Sequence, residues 1–554
     1  MSRTHAMIGG AVVLLGAGLA AAPVAAQAAP DAGSTDTRRV VVRPYIEATQ
    51  ILDADLSGGD VVTYTSLAAG VDAAVSTARL NGQLSYRYER RFAYDDDIGD
   101  TDIHSGLARV DAQLTRNLMI EAGGIATRSR SDIRGAAPGV LVGNVDNISQ
   151  VYAVYAGPSV TAQTGDITLN GNYRIGYTKV ETPTFGNIAT GGQRLDYYDD
   201  SVGHTATASA GFRPGTLLPV GLTVSGGYDR ETASQLSQRY VGYFGRGDAL
   251  LPVSPYVALT AGVGYEKIET SQRDALVDAG GVPVLNRDGR FQTAPGSPRR
   301  IAYRTDGVYY DAGVIWRPDR RTSVEARIGK RYGSLSYTGT ATYQASKDVG
   351  LAVNVYDGVQ TFGRQLRTGI ANLPTSFQSP SQGFAQQFNG CVFGSTGAAP
   401  GGCLDDVFQS ISTSSYRARG IDGVLVATRG RNTFGAGLGY ANRKLYAPKV
   451  APGIVVTGLE DESYYGQLYY ARSLTSVSGI NATAFVNYFD SELGGGLNGV
   501  GGDGGVWSYG ATGTYYRNFG RLGTTASLGL YSFKVGDFDS DWSAQALLGA
   551  RYQF

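Results

Sequence analysis

Histidine and cysteine, the residues that most often carry catalysis or hold metals, are nearly absent from this chain. Three histidines occur in 554 residues. His5 falls in an N-terminal leader, which leaves His104 and His204. A hydrolytic site needs a base held beside a nucleophile, and neither histidine stands in such a motif. Both also share the parity of an apolar strand face. Catalysis is therefore not expected, and no cofactor is implied. The two cysteines, Cys391 and Cys403, share one Gly/Ser/Gln-rich stretch with no histidine near them. In an exported chain this predicts a loop disulfide rather than a metal site. The run Tyr94-Asp95-Asp96-Asp97, with Asp100 and Asp102, could gather Ca²⁺. A solvated acidic loop is the plainer reading, and no metal centre is expected.

The remaining chemistry is ionic, and its spacing is informative. Arg87, Glu89 and Arg91 stand two apart, as do Arg109 and Asp111, and Glu325 and Arg327. A period of two places such residues on one face of an extended strand. Glu121, Arg174, Asp229, Asp311 and Arg331 occupy similar positions in apolar surroundings. A charge facing lipid from mid-strand costs about 2–4 kcal/mol, so these twelve residues are expected to line a lumen. They could orient polar solutes by mixed charge, or pair across strands and fill the barrel. The second is the plainer reading.

The elements that position these charges follow from alternation. Leu80, Gly82, Leu84, Tyr86 and Tyr88 oppose Gln83, Ser85, Arg87, Glu89 and Arg91. Ile167, Leu169, Gly171, Tyr173, Ile175 and Tyr177 oppose Thr168, Asn170, Asn172 and Arg174. The last strand runs Trp542, Ala544, Ala546, Leu548, Ala550, Tyr552 and Phe554 on its apolar face. Strands of this kind predict an all-β, transmembrane antiparallel β-barrel. The pattern counts 22 strands, from near residue 40 to 554, with 18 to 24 as the range that boundary errors allow. An even count returns both ends to the periplasm, with tight turns such as Arg317-Pro318-Asp319-Arg320 there and long loops outside. The longest segment without alternation, 358–420, contains both cysteines. It is expected to be partly ordered at the mouth and to narrow it.

Composition agrees. Charged residues are 17%, against roughly 25% in soluble proteins, and glycine fills 78 of 554 positions, about double its usual ~7%. Mean hydropathy is −0.14, and no second apolar run of ~18 residues exists to make a spanning helix. With 48 basic and 48 acidic residues, the balance speaks against nucleic acid, which selects a basic excess. Residues 1–28 read as a signal peptide: Arg3, an apolar run to Ala22, then small residues before Gln27 and Ala28. Residues 29–39 form a short periplasmic segment, and 40–554 the barrel, placed in the outer membrane of a Gram-negative bacterium. About ten residues before Val40 leave no room for the N-terminal plug of a TonB-dependent receptor. Paired tyrosines (Tyr197, Tyr198, Tyr309, Tyr310, Tyr464, Tyr465, Tyr469, Tyr470, Tyr515, Tyr516) read mainly as girdles at the membrane interfaces, with half of each adjacent pair pointing inward.

Two stretches carry a resemblance. Tyr552 and the terminal Phe554 resemble the C-terminal signal read by the barrel-assembly machinery. The run Trp316-Arg317-Pro318-Asp319-Arg320-Arg321-Thr322-Ser323-Val324-Glu325-Ala326-Arg327-Ile328-Gly329-Lys330-Arg331-Tyr332-Gly333, with the Ser/Tyr/Thr-rich Leu335 to Tyr343, resembles outer-membrane β-barrel proteins encoded with exosortase and exopolysaccharide (PEP-CTERM type) systems of Gram-negative bacteria. That resemblance implies an association with export of surface polysaccharide and supplies no catalytic residues. Expected partners are outer-membrane lipid, lipopolysaccharide, the assembly machinery and polysaccharide. Two functions stay open: a channel or export pore for polar solutes or polysaccharide, and a closed structural or adhesive barrel presenting its loops.

Overall fold

The structure, a computed structural model, describes residues 39–94, 101–131, 148–182, 196–215, 218–379, 388–409, 411–448, 458–492, 505–536 and 539–554. Residues 1–28, read from sequence as a signal peptide, nearly all of segment 29–39, and Asp95, Asp96, Asp97 and Asp100 of the acidic run lie outside the described residues. The strands in chain order are β1 Arg39–Asp55, β2 Val61–Ser76, β3 Leu80–Ala93, β4 Thr101–Gln113, β5 Leu118–Arg130, β6 Ile148–Thr164, β7 Ile167–Glu181 and β8 Asp200–Phe212. Then come β9 Gly221–Ala233, β10 Arg239–Pro252, β11 Val257–Gln272, β12 Arg300–Trp316, β13 Thr322–Arg331, β14 Ser334–Tyr343 and β15 Val349–Gln360. An insert follows, holding helix α1 (Phe362–Asn372) and the short strands β16 Cys391–Thr396 and β17 Ala399–Cys403. The wall resumes with β18 Ser415–Arg429, β19 Asn432–Tyr446, β20 Glu460–Ser473, β21 Ser478–Ser491, β22 Val506–Phe519, β23 Leu522–Val535 and β24 Asp541–Gln553.

Twenty-two of these strands form one antiparallel sheet. Each pairs with its sequence neighbour, and β1 closes the ring on β24, from Tyr45 opposite Gln553 to Asp55 opposite Ser543. Closure leaves no unpaired edge, which is the condition a sheet must meet in lipid. The 22 strands match the alternation strand for strand, although several are longer. The weakest segment, 238–244, is the start of β10, which runs on to Pro252. The connection expected over 269–306 shrinks to 273–299, and that over 358–420 to 361–414.

Arg39 and Gln553 lie at one end of the barrel, the inner end. The connections there are short: 165–166, 430–431 and 520–521 are two residues each. The long ones lie at the opposite, outer end. One outer connection is also tight: Tyr332 and Gly333 take positive φ (54° and 74°) in a two-residue β13–β14 turn, the geometry that a hairpin's twist favours. Leu438, Leu468, Leu528 and Leu548 stand exposed on the outer face, as a lipid-facing surface requires.

The apolar core lies inside the barrel. Leu107, Ile125, Val151, Ala153, Tyr155 and Val180 of the wall cluster with Phe362, Leu366, Ile370, Leu373, Phe377, Phe388, Val392, Leu404 and Val407 of the insert. Each fully buried aliphatic or aromatic side chain contributes roughly 1.5–3 kcal/mol, so the insert is bound to the wall as a folded unit.

Candidate functional site: an occluded lumen

The twelve charged residues singled out by spacing all occupy lumen-facing positions, and they divide into separate networks. Near the barrel seam, Arg87 Nη2 lies 3.0 Å from Glu47 Oε1, Arg91 Nε 2.8 Å from Glu89 Oε1, and Arg551 Nε 2.7 Å from Glu47 Oε2. Arg87 also pairs with Glu89, and the Arg551 guanidinium lies 3.9 Å from the centre of the Tyr45 ring. Around β10 to β13, Arg246 reaches Asp248 at 2.8 Å and Asp311 at 2.6 Å. Arg327 bonds Asp248, Asp311 and Glu325 at 2.9, 3.1 and 2.8 Å. Arg331 meets Glu266 at 2.7 Å. Arg174 pairs with Glu121, and Arg109 approaches Asp111 at 3.8 Å. Across the pleat such pairs offset one another's charge, and for Arg246 and Arg327 several hydrogen bonds per guanidinium offset its desolvation.

A further set of wall charges holds the insert. Arg109 Nε and Nη2 donate to the carbonyl oxygens of Leu373 (3.1 Å) and Ala371 (3.0 Å), at the C-terminal end of α1 where helix carbonyls lack partners. At the other end, Thr361 caps the helix by accepting from the Arg364 N–H, and its own hydroxyl donates to Glu231 Oε1 at 2.7 Å. Arg364 bridges to Asp229 at 3.0 Å. Arg367 pairs with Glu231 and donates to Thr178 and Ser201 at 2.9 and 3.2 Å. Arg443 donates to the carbonyl oxygens of Asp406 and Val407, and Tyr416 to Gln365 Oε1 at 2.6 Å.

The insert crosses the lumen. On one side Phe377 exchanges two 2.9 Å hydrogen bonds with the Gln83 side chain on β3. On the other, Cys391 N donates to Gln467 Oε1 on β20 at 2.7 Å. In the closed ring β3 stands nearly opposite β15. Cys391 and Cys403 face each other across β16–β17 and form a disulfide. The hairpin tip reaches the inner end, where Gly397 N donates to Lys347 O of the β14–β15 turn at 2.8 Å. The segment thus extends the depth of the barrel, beyond the mouth constriction expected from sequence.

Glycines on the lumen face make room for it. A side chain at Gly176 or Gly203 would collide with Arg367, and one at Gly435 with Phe393. Two open spaces remain along the wall, of which the second is also bordered by the insert. One is charged, against β9 to β14, and includes Arg246, Asp248, Asp311, Glu325 and Arg327. The other, against β20 to β23, is walled by Tyr465, Tyr469, Phe485, Asn487 and Tyr531.

One expectation, the girdle role of Tyr197 and Tyr198, needs correction. Tyr197 and Tyr198 are buried, and Tyr198 packs edge-on against Phe362 (5.1 Å). Tyr309, Tyr465 and Tyr469 are the inward members of their pairs, as alternation requires, and are buried. Only part of the tyrosine set, including Tyr310, Tyr464 and Tyr515, faces outward as a girdle would. His104 and His204 are outward, each accepting or donating through Nδ1 with Tyr86 (2.7 Å) and Tyr173 (2.9 Å). Spacing alone missed Glu47, Glu231, Arg246, Glu266, Arg443 and Arg551, although each has lumen parity on its strand.

No protein-family model matches this chain, and no curated protein matches it. Among solved structures it is similar to the FrpB iron transporter from Neisseria meningitidis (F5-1 variant), with 10% identity and a TM-score of 0.42 over 92% of this chain and 82% of that one. It is similar to the ferric-catecholate import receptor Fiu from E. coli K12 in its open form, with 11% identity and a TM-score of 0.44 over 92% and 81%. OccK11 (OpdR) of Pseudomonas aeruginosa gives 11% identity and a TM-score of 0.27 over 93% and 96%. These values assign no function.

Proposed function

We propose that this chain is an outer-membrane channel for polar solutes, with the 361–414 insert as its constriction. One observation carries this reading. The insert spans the lumen, yet polar and charged contacts fix much of it to the wall, one cleft remains between it and β20 to β23, and a second, charged one is lined by β9 to β14. A barrel serving only as a loop scaffold has no need of open clefts along its inner wall. The mixed Arg/Asp lining of the β9–β14 cleft suits small hydrophilic solutes of either charge. Surface polysaccharide is the larger cargo, supported by the resemblance of Trp316 to Gly333; its passage requires the insert to shift.

Liposome swelling tests the reading. Purified protein in vesicles should admit small sugars and amino acids, and more so when Arg367 and Arg109 are both replaced by methionine. Vesicles as tight as protein-free controls, with both proteins, would favour the closed loop-presenting barrel.

A further inference from the structure

The outer face between β20 and β23 is not evenly apolar. Two registers cross it: Leu468, Ala484, Ala511, Leu530, and Tyr470, Ala482, Gly513, Leu528. Large side chains on β20 and β23 flank a floor of alanine and glycine on β21 and β22. At about 4.8 Å per strand the walls stand roughly 14 Å apart. A methyl group added at Gly513 would meet nothing within 4 Å. Leu468, Tyr470, Ala482, Ala484 and Ala511 of this groove also border an open space that continues past Phe434 to Leu425 and is lined almost wholly by carbon.

Its inner end is ringed by cations. Arg429 and Arg472 flank Asn432 in one register across β18, β19 and β20. Tyr470 donates to Asn432 Oδ1 at 3.0 Å, and its ring lies 4.9 Å from Phe434. Arg517 lies past the groove on β22, over the Phe519 ring at 5.0 Å. All three guanidinium groups are exposed, and among the described residues none has an ion-pair partner. The nearby turns 430–431, 474–477 and 520–521 contain no acid and add Arg431 and Arg521. Around the whole inner end the connections carry nine Arg or Lys against three Asp, in a chain whose net charge is zero.

We propose that this groove holds an anionic phospholipid of the leaflet at the inner end. Its acyl chains lie between Leu468 and Leu530, and its phosphate is held by Arg472 with Arg429 or Arg517. An arginine fork matches two phosphate oxygens, and basic residues beside an apolar span select anionic headgroups. The groove gives the lipid a fixed place, and the unpaired cations give it a sign. The site lies outside the wall, so it stands or falls separately from any transport through the lumen.

The test uses delipidated full-length protein in detergent, offered equal amounts of phosphatidylglycerol and phosphatidylcholine with identical chains, and read by native mass spectrometry. At least a ten-fold preference for phosphatidylglycerol is expected. The R429Q/R472Q/R517Q variant should lose that preference and still bind either lipid weakly. Filling the floor with A484F/A511F should abolish retention of both. Heat-modifiable gel mobility identifies variants that keep the barrel. No preference in the unaltered protein would overturn the proposal. So would a preference that the triple variant leaves intact, or retention of lipopolysaccharide or a second copy of this chain in place of phospholipid.

Discussion

Gly437, on the lumen face of β19, leaves the space that the Cys391 sulfur fills: any side chain at 437 would collide with Sγ. The wall and the insert are therefore shaped to each other at a position 46 residues apart in sequence. Replacing Gly437 by valine keeps a good strand residue but overpacks this contact, at a cost of about 1–3 kcal/mol. The hairpin should lift from β19 while the barrel remains. Faster reduction of Cys391–Cys403 by a small thiol, with unchanged heat-modifiable mobility, is the expected result.

Arg367 and Glu231 form a buried pair, with side chains 10% and 2% exposed. Removing one partner leaves the other charged and enclosed, which costs about 3–5 kcal/mol. Arg367→Met should thus release α1 from β7 to β9, seen as faster amide exchange over 362–372. Exchange in the R367M/E231Q double variant should be slower than in Arg367→Met, because no lone charge remains.

The insert should respond to pH. Asp405 Oδ2 lies 3.5 Å from Cys391 Sγ. Loss of hydration, with the neighbouring Asp406 charge, raises its pKa to about 8. A carboxyl raised on folding favours the folded insert most fully below the ordinary carboxylate range. That contribution falls as pH rises through about 8. Protection of the amides over 391–409, taken relative to their intrinsic base-catalysed rates, should fall between about pH 4 and pH 8, and Asp405→Asn should flatten the change. Equal pH dependence in both proteins would exclude Asp405 as the cause.

Why the wall was legible and the insert was not has a physical basis. Lipid accepts only apolar side chains and the lumen accepts polar ones, so every strand prints a two-residue alternation. That alternation yields β1 to β15 and β18 to β24 from sequence. The helix α1 carries a weaker print: Phe362, Leu366 and Ile370 recur four apart, but over only 11 residues, with Arg367 buried beside that stripe and Arg364 on another face. Their charges are satisfied by Asp229 and Glu231, more than a hundred residues earlier. One signal was present. Ile103, Leu107, Ile125 and Val151 are apolar at lumen parity and buried. A water-filled lumen does not ask for them, so something must pack there. The seam network was half legible: Arg87, Glu89 and Arg91 stand together in sequence, Glu47 meets them across β2, and Arg551 joins only through ring closure.

The terminal strand should govern assembly. Tyr552 stands opposite Ile46 and Leu522, and its ring contacts Phe554 edge-on at 5.4 Å. Phe554→Asp places a charge where β24 must close the sheet on β1. Outer-membrane levels of this variant should fall several-fold, measured by fractionation and immunoblot. Levels equal to the unaltered protein would contradict an assembly role.

Single-channel conductance in planar bilayers tests the constriction most directly. The unaltered protein is compared with a variant in which 365–411 is replaced by a short Gly/Ser linker, both verified as folded barrels. The account predicts small or intermittent currents in the first and large, steady openings in the second. Equal conductance in the two would contradict it, because the insert would then not limit passage through the lumen.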